Sequence, residues 1–300
     1  MAGHKGDGAL PFLICCIGVA LFSVMDAAMK GLSLSIGLYN ALLWRAVAGS
    51  LLGLTLMLVT GQRWPSRAVL RIHLLRGTVV AAMALLFFWS LLRLPLAEAI
   101  ALSFIAPLIA LYLAALLLKE QVGRRAVGAS LLGLVGVAII LSGKLQGSYD
   151  ADALFGVLAV LGSAVLFAWN LIIQRQQAQV ASPIEVAFFQ HVVMLCVFSL
   201  GAPWLAILPS VKAMPLVLLA ATLAFTSLAA LAWAYARAQA QRLIPVEYSA
   251  FIWASIVGWL AFGERVTITT VAGALLIVAA CLIAARSKGL KMAHVEAGTA

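Results

Sequence analysis

Apolar runs of about twenty residues, parted by short clusters of Arg, Pro and Gly, recur along the whole chain. They predict helices over 10–29, 35–59, 73–93, 96–118, 125–143, 154–174, 184–206, 214–234, 246–263 and 267–285. The runs are continuous rather than alternating, so they predict a bundle of membrane-spanning helices and not a barrel. The longest polar connections are Gly61–Ile72 and Lys144–Asp152. A weak basic lead, His4 and Lys5, precedes Leu10–Met25, but no small-x-small cleavage pattern closes that stretch before Asp26 and Lys30. The first run is therefore expected to stay as a span.

Composition sharpens this reading. Of the 300 residues 65% are hydrophobic and 10% charged, with a mean hydropathy of +1.11. A soluble chain has roughly 45–50% apolar and 25% charged residues, and a soluble fold has nowhere to put the excess. The formal net charge is +10. In a membrane protein, Lys and Arg flanking the spans on the cytoplasmic side give that balance, so no nucleic-acid partner is expected. With the N-terminus in the cytoplasm, only Lys30, Arg93, Lys144, Lys212 and Arg265 fall on the far side, and Arg45 lies within a span. Both termini are thus expected to be cytoplasmic. Cys15, Cys16, Cys196 and Cys281 sit inside apolar runs, with neither zinc-site nor disulfide-framework spacing, and read as small buried hydrophobes.

The chain also repeats itself. A shift of 144 residues superposes Gly18 on Gly162, Pro65 on Pro209, Trp89 on Trp233, Arg93 on Arg237, Glu120 on Glu264, Val122 on Val266 and Lys144 on Lys288. Asp26 meets Asn170 and Lys30 meets Gln174 at the same shift. The expected architecture is all-α and polytopic: two five-helix halves, 9–143 and 153–287, with a cytoplasmic tail over 288–300. An odd number of spans returns the chain to the opposite side, so the second half is expected to lie inverted. Inverted repeats supply inward-open and outward-open arrangements of similar energy around a site between the halves.

The stretch PLAEAIALSFIAPLIALYLAALLLKEQVGRRAVGASLLGLVGVAIILSG from Pro95 resembles the end of an EamA repeat of the drug/metabolite transporter superfamily. PVEYSAFIWASIVGWLAFGERVTITTVAGALLIVAA from Pro245 resembles its second copy. Pro107 and Phe251 each stand thirteen residues before an acidic residue, Glu120 and Glu264, and a Gly-rich helix follows; Lys119 stands where the first repeat often has Gly. The resemblance covers essentially the whole chain. It implies a secondary transporter whose cavity is lined by helices 1, 3, 4, 6, 8 and 9. Members carry amino acids, S-adenosylmethionine, riboflavin, sugars or purines, and a bacterial exporter of aromatic amino acids has this architecture. The expectation is a monomeric multi-pass carrier of the bacterial inner membrane, in contact with the lipid bilayer and a small-molecule substrate. It would export small amphiphilic metabolites, amino acids including aromatic ones first. Uptake of S-adenosylmethionine or riboflavin is the alternative.

An ionisable group at the centre of a span costs about 2.5–3.5 kcal/mol on insertion scales, so each requires a partner or a wet cavity. Arg45, near the midplane, is either a cation for a substrate carboxylate or a clamp on neighbouring helix ends or Asp26. Asp26 and Lys30 share one helix face and are able to pair near the outer mouth. Their mates Asn170 and Gln174 fall near the inner mouth, giving polar gates at both entrances. Glu98 and Glu247 begin helices 4 and 9, as dipole-favoured caps or titrating sites. Glu120 and Glu264, beside Arg124, Arg125 and Arg265, read as structural. His191, beside Gln190, is the one histidine expected inside a span, as a proton switch or a hydrogen-bonded core residue. Among the aromatics, Trp89 and Trp169 are the expected gatekeepers, with Tyr112, Trp233, Tyr248 and Trp253 as further candidates for the cavity wall. Ala129, Gly133 and Gly136, with Gly273 and Ala274, form small-residue faces suited to joining the halves. The sequence contains no GxGD, HExxH or GxSxG motif and no clustered aspartates for a magnesium diphosphate. No enzyme activity, metal or cofactor is expected.

Overall fold

The computed structural model describes residues 9–118, 124–145, 151–238, 243 and 246–286. Lys119, Glu120, Arg242, Lys288 and the tail lie outside the described residues, as do the side chains of Arg124, Arg125 and Lys144. The described residues form helices and connections, with no strand among them. The helices are α1 (Ala9–Ile36), α2 (Leu38–Val59), α3 (Arg67–Leu91), α4 (Leu96–Ser103), α5 (Ala106–Leu118) and α6 (Arg124–Leu145). They continue with α7 (Ala151–Val180), α8 (Pro183–Ser199), the single turn α9 (Ala202–Leu205), α10 (Met214–Tyr235), α11 (Ala250–Phe262) and α12 (Ile268–Arg286). Five of them, α1, α2, α3, α7 and α10, are long and apolar enough to cross a bilayer, and shorter apolar helices lie between them.

Several boundaries differ from the sequence reading, each for a local reason. Helix α1 runs on to Ile36 and is parted from α2 only by Gly37, whose φ of 80° few other residues adopt. Helix α3 starts at Arg67, six residues early, because Ser66 caps it by accepting from the Val69 amide at 3.4 Å. His73 and Arg76, in the following turns of that helix, are both buried. His73 is thus a second buried histidine, on a helix long and apolar enough to cross a bilayer, beside the His191 that the sequence singled out. Helix α11 stops at Gly263, in the left-handed region at φ 66°.

The fourth expected helix is broken into α4 and α5 at Phe104–Ile105, where the amides of both residues bond three residues back. A second turn, at Tyr248–Ser249, precedes α11. These two breaks fall at positions related by the 144-residue shift. The Phe104 carbonyl, left without a helical partner, accepts from the Cys281 thiol at 3.2 Å. Irregular backbone at such depth is tolerated only where protein covers it.

Packing is reciprocal under the same shift. Helix α1 lies on α10 as α3 lies on α7, α3 meets α8 as α10 meets α2, and α5 meets α7 as α11 meets α1. Phe104 and Tyr248, shift-equivalent to one another, touch edge-on with ring centroids 5.1 Å apart. A residue in contact with its own counterpart lies on an approximate two-fold axis. Across the seam of α6 and α12, Gly133 faces Ala280 and, reciprocally, Gly136 faces Ile277. A Cβ at Gly136 would stand 2.7 Å from the Gly273 carbonyl oxygen, backbone that cannot step aside. Gly128 on the same helix has open space around it. Gly136→Ala is expected to lower the thermal-unfolding midpoint of the purified protein by several degrees, the scale of about 1–3 kcal/mol of overpacking. Gly128→Ala should leave it unchanged or slightly raised.

Candidate functional site

Three polar clusters interrupt the apolar interior. The first joins α1, α2 and α8. Asp26, Arg45 and His191 are 4%, 6% and 2% exposed. The Arg45 guanidinium is met by sulfur and a ring: Met25 Sδ at 3.9 Å from Nη1, Met194 Sδ at 4.0 Å from Nη2, and the Phe88 ring centroid 5.5 Å away. Its Nε has no hydrogen-bond partner, nor have Asp26 Oδ1 and His191 Nε2. Asp26 and Arg45 act on each other electrostatically, yet no ion pair within 4.0 Å joins them among the described residues. The His191 ring is held by its Nδ1, 2.8 Å from the Ala187 carbonyl. It lies so close to Gly49 of α2 that any side chain there would overlap it.

The second cluster closes the end of the bundle that carries Ile36 and Leu38. Lys30 does not pair with Asp26, four residues back. Its ammonium instead meets the Glu264 carboxylate and the Leu94 carbonyl, the latter at 2.8 Å, with the Phe262 ring beneath it at 5.4 Å. The reason is a pair of orphan backbone groups. At the Pro95 N-cap of α4 the Leu94 carbonyl and Leu96 amide point away from any helix ladder. Glu264, swung inward after Gly263, accepts from the Leu96 amide at 2.7 Å and from Lys30 together. The partner of Glu264 comes from α1, not from Arg265 beside it in the chain. Nearby the Tyr39 hydroxyl donates to the Phe198 carbonyl. The connection after α9 is tied to α2, with Asn40 Oδ1 accepting from the Ile207 amide and Trp44 Nε1 donating to its carbonyl, both at 2.8 Å.

The third cluster, at the opposite end, joins Asn170 and Gln174, which the sequence singled out, to His73, Arg76, Gln177 and Glu185, which it did not. Arg76 Nε donates to Asn170 Oδ1 at 2.9 Å, Nη1 to Gln177 Oε1 at 2.6 Å and Nη2 to Gln174 Oε1 at 3.3 Å. The Gln177 amide nitrogen then faces His73 Nδ1 at 2.7 Å, so Nδ1 accepts. His73 Nε2 therefore carries the proton that reaches Glu185 of α8, 2.9 Å away. Phe189 stacks on the imidazole at 4.7 Å. A usable signal existed: Ser66 two residues ahead of Ala68, followed by an unbroken stretch without Gly or Pro up to Arg76.

The remaining sequence candidates are dispersed. Trp89 and Trp233 are capped by the guanidinium groups of Arg93 and Arg237, 3.5 and 4.2 Å from their ring centroids. Both arginines also donate to the carbonyl of the same tryptophan at 3.3 Å. Arg93 reaches Asp152 at 3.5 Å as well. These indoles are helix-end platforms at equivalent places in the two repeats. Trp169, Trp253 and Tyr112 are each more than a third exposed on α7, α11 and α5. Tyr248 meets Phe104 as described; Glu98 is buried in the first turn of α4. Glu247 accepts from the Tyr235 hydroxyl. Among the described residues no group of three His, Cys, Asp or Glu is placed to hold a metal ion.

Two expectations follow. A double-mutant cycle with Lys30→Met and Glu264→Gln, read by thermal unfolding, should give a coupling of about 0.5–3 kcal/mol. Arg76→Ala should destabilise more than Arg76→Lys, since it strands three amide oxygens and charge-assisted hydrogen bonds are worth about 1.5–3 kcal/mol each. Equal losses would show that the fork geometry is not used.

The EamA-like transporter family matches residues 10–142 and 154–286, and the chain belongs to that family, within the drug/metabolite transporter superfamily. It is 26% identical to the pseudopaline exporter of Pseudomonas aeruginosa over 277 residues, 92% of this chain and 96% of that one. It is 26% identical to the riboflavin transporter of Brucella anthropi over 249 residues, 80% of this chain and 84% of the other. A solved structure covers 94% of this chain with a TM-score of 0.63 and 19% identity, and 99% of that chain is covered; this likeness concerns the fold.

Proposed function

We propose that this EamA-family transporter works by alternating access as a monomer in a bacterial inner membrane. Its ten spans form inverted repeats over 9–143 and 153–287, with both termini cytoplasmic. It exports small amphiphilic metabolites, amino acids including aromatic ones first, without a cofactor. One observation carries this reading. Lys30 of the first half is clasped by Glu264 of the second, and its counterpart Gln174 of the second half is clasped by Arg76 of the first. Clasps between halves at equivalent positions and opposite ends are what a device that opens one end at a time requires. In this orientation Lys30–Glu264 is the outer clasp and Arg76 with Asn170, Gln174 and Gln177 the inner one.

Export is supported by the pseudopaline exporter among the relatives. The riboflavin transporter supports the second reading, uptake of riboflavin or S-adenosylmethionine. The deciding measurement is counterflow into proteoliposomes of purified protein with a panel of amino acids, riboflavin and S-adenosylmethionine, with and without a pH gradient. Saturable exchange of aromatic amino acids is expected, and Trp169→Ala should reduce it several-fold with the protein still in the membrane. Exchange of riboflavin alone would replace the first reading by the second. Labelling of single cysteines at both termini should reach them from the cytoplasmic face only.

A further inference from the structure

We infer that Asp26 and Arg45 together form a receptor for a zwitterionic α-amino acid, with Arg45 taking the carboxylate and Asp26 the ammonium; this rests on the carrier reading above and names its cargo class. The two side chains are within electrostatic reach of each other but form no ion pair within 4.0 Å among the described residues, and Met25, next to Asp26 in the chain, lies 3.9 Å from Arg45 Nη1. Asp26 Oδ1 and Arg45 Nε have no hydrogen-bond partner among the described residues, and the Arg45 guanidinium is met by two methionine sulfurs and the Phe88 ring. A carboxylate and a guanidinium taken out of water each lose several kcal/mol of solvation unless paired, and direct contact would be the simplest remedy. Almost wholly buried and without an ion pair between them, they leave Asp26 Oδ1 as a vacant acceptor and Arg45 Nε as a vacant donor.

The charge balance selects the ligand. Asp26 and Arg45 sum to zero, so a zwitterion that satisfies both ends keeps the site neutral. A monoanion would leave an excess negative charge there and a monocation an excess positive one, each penalised in a medium of low dielectric. The other elements packed on α1 do not alter this sum. Helix α11 contains no ionisable residue, α10 contains Tyr235 engaged with Glu247, and the His73 and Arg76 of α3 are committed to the third cluster. From α8, His191 donates its Nδ1–H to the Ala187 carbonyl, so its unpartnered Nε2 is an acceptor and offers no hydrogen bond to a carboxylate. Met25, Met194 and Phe88 around the guanidinium supply polarisable, adaptable surface for an apolar or aromatic side chain. Lys30, one turn from Asp26 on the same face, is withheld from the site by Glu264, so it does not neutralise the carboxylate that the ammonium needs.

The test compares L-tryptophan with N-acetyl-L-tryptophan, which lacks the cation, and tryptamine, which lacks the anion. In counterflow by wild-type protein at limiting concentration, L-tryptophan should exchange about tenfold faster, or more, than either analogue, the scale of one charge-assisted hydrogen bond. Asp26→Asn should narrow the gap to the N-acetyl form, and Arg45→Gln the gap to tryptamine. Equal exchange of all three by wild-type protein, or proportional loss of all three in each variant, overturns the inference and leaves the carrier reading intact. Exchange of riboflavin with none of the three overturns the amino-acid reading and the inference together. Should either variant fail to reach the membrane, stabilisation of the wild-type protein against heat by the three compounds decides: L-tryptophan alone supports the inference, and equal stabilisation rejects it.

Discussion

A charge or amide sunk in an apolar interior is tolerable only against a partner, and a partner on the same helix has little reach. In this protein that constraint fixes how the helices stand against one another. Arg76 can satisfy Asn170, Gln174 and Gln177 together only if α3 and α7 keep one register, because three acceptors spread over two turns of α7 must converge on a single planar fork. Glu264 bridges α1 and the start of α4 in the same way, one oxygen toward the Lys30 ammonium and the other on the Leu96 amide. Apolar packing alone would let such helices slide, since Leu, Ala and Val surfaces are nearly interchangeable along a span. The polar contacts remove that freedom.

Two kinds of joint therefore coexist. The seam of α6 and α12 brings backbone against backbone through Gly136 and Gly273. The clasps at Lys30 and Arg76 are made of groups that water can solvate as soon as it reaches them. A joint of the first kind resists separation; a joint of the second kind can part and re-form. The breaks at Phe104–Ile105 and Tyr248–Ser249, where ladder bonds are already missing, lie between these regions and divide the fourth and ninth helical stretches at matching points.

What the sequence revealed depended on whether a feature was local. The duplication was legible because Trp89–Arg93 and Trp233–Arg237 are short-range pairs preserved as units, and both form the same cation–π stack. The small-residue faces were legible because spacing within a helix is itself the signal. The true partner of Lys30 was not, since Glu264 lies 234 residues away and Asp26 offered a plausible neighbour on the same face. Arg76 and His73 were hidden for a different reason: they open the helix expected from 73, just after arginines at 63, 67 and 71, and so looked like its solvated edge, although Ser66 begins the helix two turns earlier. The interruption before α5 carried a faint mark in Pro107, in the first turn of the new helix, but the second copy has Phe251 in its place and breaks without one. Asp26, Arg45 and His191 were singled out individually; that they converge was beyond one-dimensional reading.

The twin clasps are not twins chemically. Lys30 has Gln174 as its counterpart, and Arg76 has Ala220, so an ammonium–carboxylate contact secures one extremity while a guanidinium among neutral amides secures the other. A molecule with identical fastenings would spend equal time facing either compartment. Under the alternating-access reading, unequal fastenings would bias the unloaded protein toward one side, and a difference of only about 1.4 kcal/mol makes such a bias tenfold. In an alternating-access carrier, divergence of the duplicated halves would thus give an otherwise symmetrical machine a preferred resting posture.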